Sequence, residues 1–327
     1  MNATIIVPYY NASSTIGCCI NAIKKQMEAE DELIIINDGS SEDHSRALEQ
    51  FNQYKVFSHS KNKGAAKARN LGMEKASNET FVFVDADVML QKGCLLALKN
   101  KLMSGADACF VVPSNAKHDN FFSDYKNLYM IDILTRNEND LNYIYGSCCA
   151  LRSNVKNKSW PTKLKLIEDN VFGYELWNCD ALIKKVTEAS FVHMKNYTAL
   201  TLIRNDFSVS FQFARFMIEK SRWSTLYTSS NFGHTDKKQK ASVIIAALLM
   251  LTTIFSFTTS LVLFFCWFLL NRRLFKYLNK ERKPLFVVFS IFWTYISHLV
   301  YFLGIITGFF WMFLSTLSTK GYRVEQD

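Results

Sequence analysis

The sequence predicts an α/β domain built on a doubly wound, mostly parallel sheet, followed by C-terminal α-helical membrane segments. Three observations carry this. Short β-branched runs alternate with helical stretches as far as Val84, the signature of a parallel sheet covered on both faces. Polar residues able to do chemistry fall directly after those runs, at the strand ends where such sheets bind ligands. From Ala241 onward the chain turns apolar.

Taken in order, Thr4-Ile5-Ile6-Val7 reads as a buried strand stopped by Pro8, which has no donor for the ladder. A helix follows over about Ser14 to Met27. Glu32 to Ile36 is a second strand, Glu42 to Phe51 a helix, Lys55 to Phe57 a short strand, Ala65 to Ala76 a helix, and Thr80 to Val84 a strand. A less regular half, from about Ala106 to Tyr197, has strands near Ala108–Val112, Tyr143–Leu151 and Ile183–Thr187, with a helix after Asp169. It is expected to supply the acceptor side of a cleft. The domain is expected over residues 1–200, an amphipathic region over 201–240, membrane helices over 241–318 and a short tail over 319–327.

At 327 residues the chain has room for one α/β domain of about 200 residues and a second element. Its net charge of +9 comes from scattered Lys and Arg and from clusters beside the apolar segments. A bilayer surface is therefore the expected partner, and no nucleic-acid motif is present. The eight cysteines include two adjacent pairs, Cys18-Cys19 and Cys148-Cys149, which is thiol usage of a reducing compartment. The first ten residues lack a basic start and a long apolar run, so no signal peptide is expected and the N-terminal domain is placed in the cytosol.

Between Asn205 and Tyr227, Phe207, Phe211, Ala214 and Ile218 fall at helical spacing among Arg215, Lys220 and Arg222, which suits a helix on a membrane surface or one packed on the domain. Residues Ala241–Leu270 and Leu285–Ser315 contain no Asp, Glu, Lys or Arg, and each exceeds the ~20 residues that cross a bilayer. The basic stretch Arg272 to Lys283 between them should lie on the inside. A turn at Thr258-Thr259-Ser260 would make the first run a re-entrant hairpin with arms of about 14 residues, roughly 21 Å, which is short for a span. Two or three spans are expected.

Asp85-Ala86-Asp87 places two carboxylates at the end of an apolar strand, where a hard cation such as Mg²⁺ or Mn²⁺ can bridge protein oxygen to a diphosphate. Asp38, before Gly39-Ser40-Ser41, can accept hydrogen bonds from a base or ribose, and the same residues also suit an Asp-Gly turn with a helix cap. Glu168-Asp169 opens a helix, as a desolvated base or as charge complementing the helix dipole. His193 ends a short apolar run and reads as a metal ligand, a diphosphate contact or a structural histidine.

Ile6-Val7-Pro8-Tyr9-Tyr10-Asn11, Asn37-Asp38-Gly39-Ser40-Ser41, Asn62-x-Gly64-x-Ala66-x-Ala68-Arg69-Asn70-x-Gly72 and Asp85-x-Asp87 occur in the order and spacing of glycosyltransferase family 2, which the chain resembles over about residues 3 to 195. Gly146 to Arg152 is similar to the family's glycine-led strand, and Glu168-Asp169 to its E-D motif. His298-x-x-Tyr301-x-x-Gly304-x-x-x-Gly308 resembles, more loosely, the membrane tail of bacterial members. The resemblance implies a GT-A (Rossmann-like) fold. Pro8 and Asp38 would line the nucleoside pocket, and Asp85 and Asp87 would hold ribose and metal-bound diphosphate. Tyr10, Asn11, Gly64 and Arg69 are carried with them as donor-binding residues, and His193 as a third metal ligand. Asp169, beside Glu168, would be the base of an inverting transfer.

Glu219-x-x-Arg222-Trp223 is similar to the family's Q-x-x-R-W motif with glutamate in place of glutamine, which argues against processive polymerisation. The implied protein sits in the inner (plasma) membrane, multi-pass, with a cytosolic catalytic domain and a divalent cation, Mg²⁺ or Mn²⁺. It would move one sugar from a nucleotide-diphosphate sugar to a polyprenyl-linked glycan or other membrane lipid. Transfer to polyprenyl phosphate itself is the rival within enzymes, and a non-catalytic sugar-nucleotide-binding scaffold the rival outside them.

Overall fold

The computed structural model describes residues 1–136, 141–156, 158–164, 166–219 and 236–321. They form two compact units, Met1–Lys117 with Ile133–Lys195, and His118–Asp132 with the described residues from Asn196 on. The first unit carries β1 (Thr4–Tyr9), α1 (Ile16–Lys24), β2 (Glu32–Asn37), α2 (Glu42–Arg46), β3 (Lys55–Ser58), α3 (Ala65–Lys75), β4 (Thr80–Val84), β5 (Val88–Leu90), α4 (Cys94–Met103) and β6 (Ala108–Pro113). α5 (Phe121–Leu134) belongs mostly to the second unit. β7 (Cys148–Arg152), α6 (Glu168–Trp177) and β8 (Ile183–His193) return to the first.

The eight strands form one sheet in the order β3-β2-β1-β4-β7-β6-β8-β5. β3, β2, β1 and β4 are parallel, so the doubly wound half appears as expected. Beyond β4 the sheet is mixed, because β7 runs antiparallel to both β4 and β6 while β6 and β8 are parallel. β1 continues through Pro8 to Tyr9 rather than stopping at the proline. Its ladder with β4 ends at Ile6, so Pro8 is paired on the β2 side alone, opposite Ile36. The helix expected over Glu42–Phe51 is divided into α2 and a 3₁₀ turn at Glu49–Phe51.

Alternation sends Ile5, Val7, Ile35, Val82 and Val84 into one core, where they meet Ile16, Ile20 and Ile23 of α1. On the opposite face α3 lies so close to β1 that a Cβ on Gly72 would collide with the Ile6 side chain. All eight cysteines are free thiols.

The second unit adds α7 (Ala199–Glu219), α8 (Lys237–Thr252), α9 (Phe257–Glu281) and α10 (Pro284–Gly321) to α5. The uncharged run 241–270 is not one span. It breaks at 253–256, just before the turn the sequence suggested, where Ser256 caps α9 by accepting from the Thr259 N–H. Among the described residues one helix, over Pro284–Leu314, is long and apolar enough to cross a membrane, so the expected count of two or three is not met. Proline at its first position is favourable because that N–H has no partner in a helix.

For α7 the sequence left open a helix on a membrane surface or one packed on the domain. Its buried stripe is Leu202, Asp206, Ser210, Ala214 and Met217, and it packs along α10. A Cβ on Gly304 would strike the Ser210 hydroxyl and lie 2.7 Å from the Phe207 carbonyl, and one on Gly308 would lie 2.8 Å from Ala214 Cβ. Small residues four apart let the two backbones approach. Inside the unit Lys126 pairs with Asp206 at 2.8 Å, and Arg282 takes Asp124 in a two-pronged pair at 2.6 and 2.8 Å. Arg222 and Trp223 lie outside the described residues, and Glu219 is described in its backbone only.

Gly304→Ala is expected to lower stability by about 1–3 kcal/mol, because the inserted methyl has no space to occupy. Gly17→Ala, in a helix with nothing within 4 Å of the added carbon, should be neutral or stabilising by up to about 1 kcal/mol. Thermal unfolding of the detergent-solubilised chain compares the two.

Candidate active site

The carboxyl ends of β1, β2 and β4 point to one edge of the sheet because the three strands are parallel neighbours. Pro8, Tyr10, Asn11, Asp38, Asp85 and Asp87 therefore share that edge, and Gly64 opens α3 there. Asn11 adopts a left-handed backbone (φ 48°) and stitches two loops together. Its N–H donates to Ser40 Oγ at 3.0 Å and its side-chain oxygen accepts from the Ser41 N–H at 3.0 Å. Tyr10 stands 49% exposed beside it, and Pro8 is half-buried.

Asp38 is 2% exposed. Its carboxylate accepts from the Lys63 N–H at 3.0 Å and the Gly64 N–H at 2.7 Å, and meets His59 Nδ1 at 2.7 Å. The loop 59–64 is thereby folded back over Gly39, whose φ of +70° and missing side chain are both required, since a Cβ there would run into the Lys61 and Asn62 backbone. The chain bends at Gly39, but Ser41 at the N-cap of α2 makes no side-chain cap bond.

Arg69 lies at the centre of the second group, 3% exposed. One Nη donates to Asp85 Oδ1 at 2.7 Å and to the Gly146 carbonyl at 3.3 Å, and the other to Glu168 Oε1 at 3.2 Å. The guanidinium stacks 4.3 Å from the centre of the Trp160 ring. Asn70, the next residue, holds Trp160 in place, accepting its N–H at 2.8 Å and donating to its carbonyl at 2.9 Å. Arg69 was expected to bind the donor; both of its Nη atoms meet protein oxygens, while its buried Nε has no hydrogen-bond partner in the chain. Trp160 follows β7 with no local pattern to mark it.

Asp169 is brought to the same place. Its Oδ2 accepts from the Gly146 N–H at 3.1 Å, and its Oδ1 accepts the Asn170 backbone and side-chain donors at 2.8 and 3.0 Å. These bonds fill three of the carboxylate's roughly four lone-pair sites, while Glu168 and Asp169 both lie in the first turn of α6. The fourth, on Oδ2, is left to receive a proton. A Cβ on Gly146 would lie 3.0 Å from Asp169 Cβ and 3.4 Å from Arg69 Nη2, so glycine there sets the spacing of the whole group.

Burial pushes the Glu168 carboxyl up to about 7, against the pull of Arg69 and with the help of Asp169. Burial also raises Asp169, opposed by the Gly146 N–H and by Arg69. For Arg69, burial works against the charge, but Asp85 and Glu168 outweigh it and hold the guanidinium above its ordinary value. Glu168 Oε2 is buried with no hydrogen-bond partner in the chain.

Asp87 is brought to His193 by β5, a three-residue strand not anticipated from the sequence, which pairs Val88 with His193. His193 Nε2 lies 3.9 Å from Asp87 Oδ1, with side-chain exposures of 17% and 28%. The Lys195 N–H donates to His193 Nδ1 at 3.3 Å, which places the neutral ring's proton on Nε2, facing Asp87. Ligation of a cation through Nε2 requires the other tautomer. No cluster of three His, Cys, Asp or Glu able to hold a metal occurs among the described residues. Asp85, 26% exposed, and Asp87 offer an open pair of oxygen donors, which suits a hard cation that completes its shell with phosphate and water.

Arg69→Ala is expected to cost about 3–5 kcal/mol, because it strands buried carboxylates, and Arg69→Lys should fail to restore it, having no fork to reach both. Glu168 is raised in the folded state, so its ionisation opposes folding. The penalty is absent below the usual carboxylate range, grows as pH rises through it and is complete above about 7. Urea titrations at pH 5 and 8 should show Glu168→Gln gaining on the wild type as pH rises.

Residues 4–159 match the family described as Glycosyl transferase family 2. The chain is similar to the teichoic acid poly(glycerol phosphate) polymerase of Staphylococcus epidermidis, 36% identical over 89 residues, 26% of this chain and 12% of that protein. It is 26% identical over 235 residues to the UDP-Glc:alpha-D-GlcNAc-diphosphoundecaprenol beta-1,3-glucosyltransferase WfgD of Escherichia coli, 70% of this chain and 79% of that one. Across the other leading relatives the chain spans from 12% to 40% of their length. The solved mannosyltransferase PcManGT of Pyrobaculum calidifontis, in complex with GDP-Man and Mn²⁺, has the same fold at a TM-score of 0.64 and 14% identity, over 93% of this chain and 86% of its own. With this strand order and these strand-end carboxylates, the chain has the GT-A fold and is similar across residues 4–159 to glycosyl transferase family 2.

Proposed function

We propose that this chain transfers a sugar from a nucleotide-diphosphate sugar to a lipid-linked, membrane-associated acceptor, in the building of a cell-surface glycan. The observation that carries the reading is the meeting of Asp85 and Glu168 on Arg69, with Asp169 held beside them by the Gly146 N–H, which sets a carboxylate able to take a proton near a carboxylate at the donor edge. A module that only binds a nucleotide sugar has no use for the former. The WfgD relative, by its name, moves glucose from UDP-Glc to a diphosphoundecaprenol-linked sugar, which supports the donor and acceptor classes. The apolar helix over Pro284–Leu314 supports a membrane location.

In this reading Pro8, Tyr10, Asn11 and the loop pinned by Asp38 receive the nucleoside, and Gly64, with open space where a Cβ would be, starts α3 beside them. Asp169 Oδ2 takes the proton of the acceptor hydroxyl as its oxygen bonds to the anomeric carbon. The bond from that carbon to the diphosphate breaks on the opposite face, so the configuration inverts. Glu168, raised by burial, holds Arg69 and limits the negative charge around Asp169 when protonated. Asp85 and Asp87 would hold a divalent cation, with His193 ordering Asp87; the mannosyltransferase of the same fold is in complex with Mn²⁺. Such a cation supplies charge stabilisation to the departing diphosphate.

Membranes containing the protein, incubated with radiolabelled nucleotide sugars, should yield a labelled lipid extract. Recovery of acid-labile phosphate-linked monosaccharide alone would indicate transfer to polyprenyl phosphate instead. Asp169→Asn is expected to lower turnover by about 10²–10⁴ with the fold retained, and Asp87→Ala to abolish it. Chelation should stop the reaction and Mg²⁺ or Mn²⁺ restore it. Because burial raises the Asp169 carboxyl, the acidic limb of the rate profile should lie above the ordinary aspartate range, with activity falling as the pH drops through it. Unchanged turnover in both variants would overturn the assignments.

A further inference from the structure

We propose that the α8–α9 hairpin is a re-entrant wedge that enters an anionic bilayer from one face, tip first, and returns to the face it came from. The inference rests on the membrane-associated reading above.

Length is the first argument. The 12 uncharged residues Ala241–Thr252 and the 15 residues Phe257–Asn271 run roughly 18 and 22 Å at 1.5 Å per residue. A hydrocarbon core is about 30 Å thick, so a tip at that depth passes the midplane and stops short of the far headgroups. Both arms end on exposed basic residues, Lys237 and Lys238 on one side and Arg272 on the other, so the charges that should stay at a headgroup layer lie at matching depth.

Exposure is the second. Ile254, Phe255 and Phe257 at the tip are 82–84% exposed, and Leu251, Leu261 and Phe265 behind them are 54–60% exposed. The inner face of the hairpin is by contrast closed. Ser260 bonds Thr252 at 3.2 Å near the tip, and Asn271 bonds Ser242 at 2.6 Å near the base.

The third is the backbone at the turn, where a water-facing loop has no need to satisfy itself. Here the Thr253 N–H donates to Leu249, and the Phe255 and Ser256 N–H groups both donate to Thr252. The Thr253 hydroxyl also bonds back to Leu249 at 2.7 Å, and Ser256 receives the Thr259 N–H. Closure of polar groups within the segment is what a bilayer interior demands.

Charge complementarity names the lipid. Arg272, Lys276 and Lys280 are exposed at successive four-residue steps, one face of α9, directly beyond its apolar half. Arg273, off that stripe, pairs with Asp132 at 3.2 Å. A row of three exposed cations at the base of an apolar wedge fits anionic headgroups.

The test is thiol accessibility in the full-length chain in sealed membrane vesicles of both orientations, in a Cys18→Ser, Cys179→Ser and Cys266→Ser background. A membrane-impermeant maleimide should label Lys280→Cys from one face. Phe255→Cys should resist it from both faces and react on adding detergent, about tenfold faster or more. Thr258→Cys repeats the measurement should the first variant fail to fold. Labelling of the tip from the face opposite Lys280→Cys would show a span, and labelling from the same face would show a tip in water; either overturns the wedge. Sugar transfer measured on the same vesicles reads the catalytic assignment separately, so a tip in water with transfer intact sinks the wedge and leaves the enzyme standing.

Discussion

The active-site half of the molecule depends on one buried guanidinium. Arg69 ties the end of β4, through Asp85, to the start of α6, through Glu168, and to the turn before β7, through the Gly146 carbonyl. These three segments lie far apart in sequence, and the chain has no disulfide to hold them. A buried cation among carboxylates is costly to break because each partner is left uncompensated. The same contact therefore fixes the fold and the spacing of Asp85 and Glu168. Trp160 seals it on one side, and Asn70 sets the tryptophan.

Much of this was legible in the residues. Parallel strands with chemistry at their ends follow from β-branched runs closed by polar turns, and Asp38, Asp85, Asp87 and Asp169 all fall where the pattern put them. The meaning of Arg69 was not legible, since a motif arginine reads equally as a phosphate contact or as an internal clamp until its neighbours are known. Trp160 and β5 were missed because their partners are distant in sequence. A strand of three residues such as Val88-Met89-Leu90 is too short to show a period.

The helical unit shows the limit of composition. A run without charge over 241–270 looks like a span, yet Thr253 and Ser256 break it by bonding back to the helix ends. Length alone could not reveal that a turn would form there rather than at Thr258–Ser260. α7 likewise has the spacing of an interfacial helix, but its small residues answer Gly304 and Gly308 on α10, and that fit is visible only once the two helices are side by side.

The pairing of Val88 with His193 constrains what this domain can tolerate. Side chains alternate faces along a strand, so a slip by one residue would send the imidazole to the other side of the sheet and leave Asp87 without it. β8 already absorbs one irregularity, between Val111 and Val112 of its neighbour β6. Loop insertions between β6 and β8 are thereby decoupled from the edge, whereas a single residue added to the short link from Asp87 to Met89 would rewire the acidic rim of the cleft.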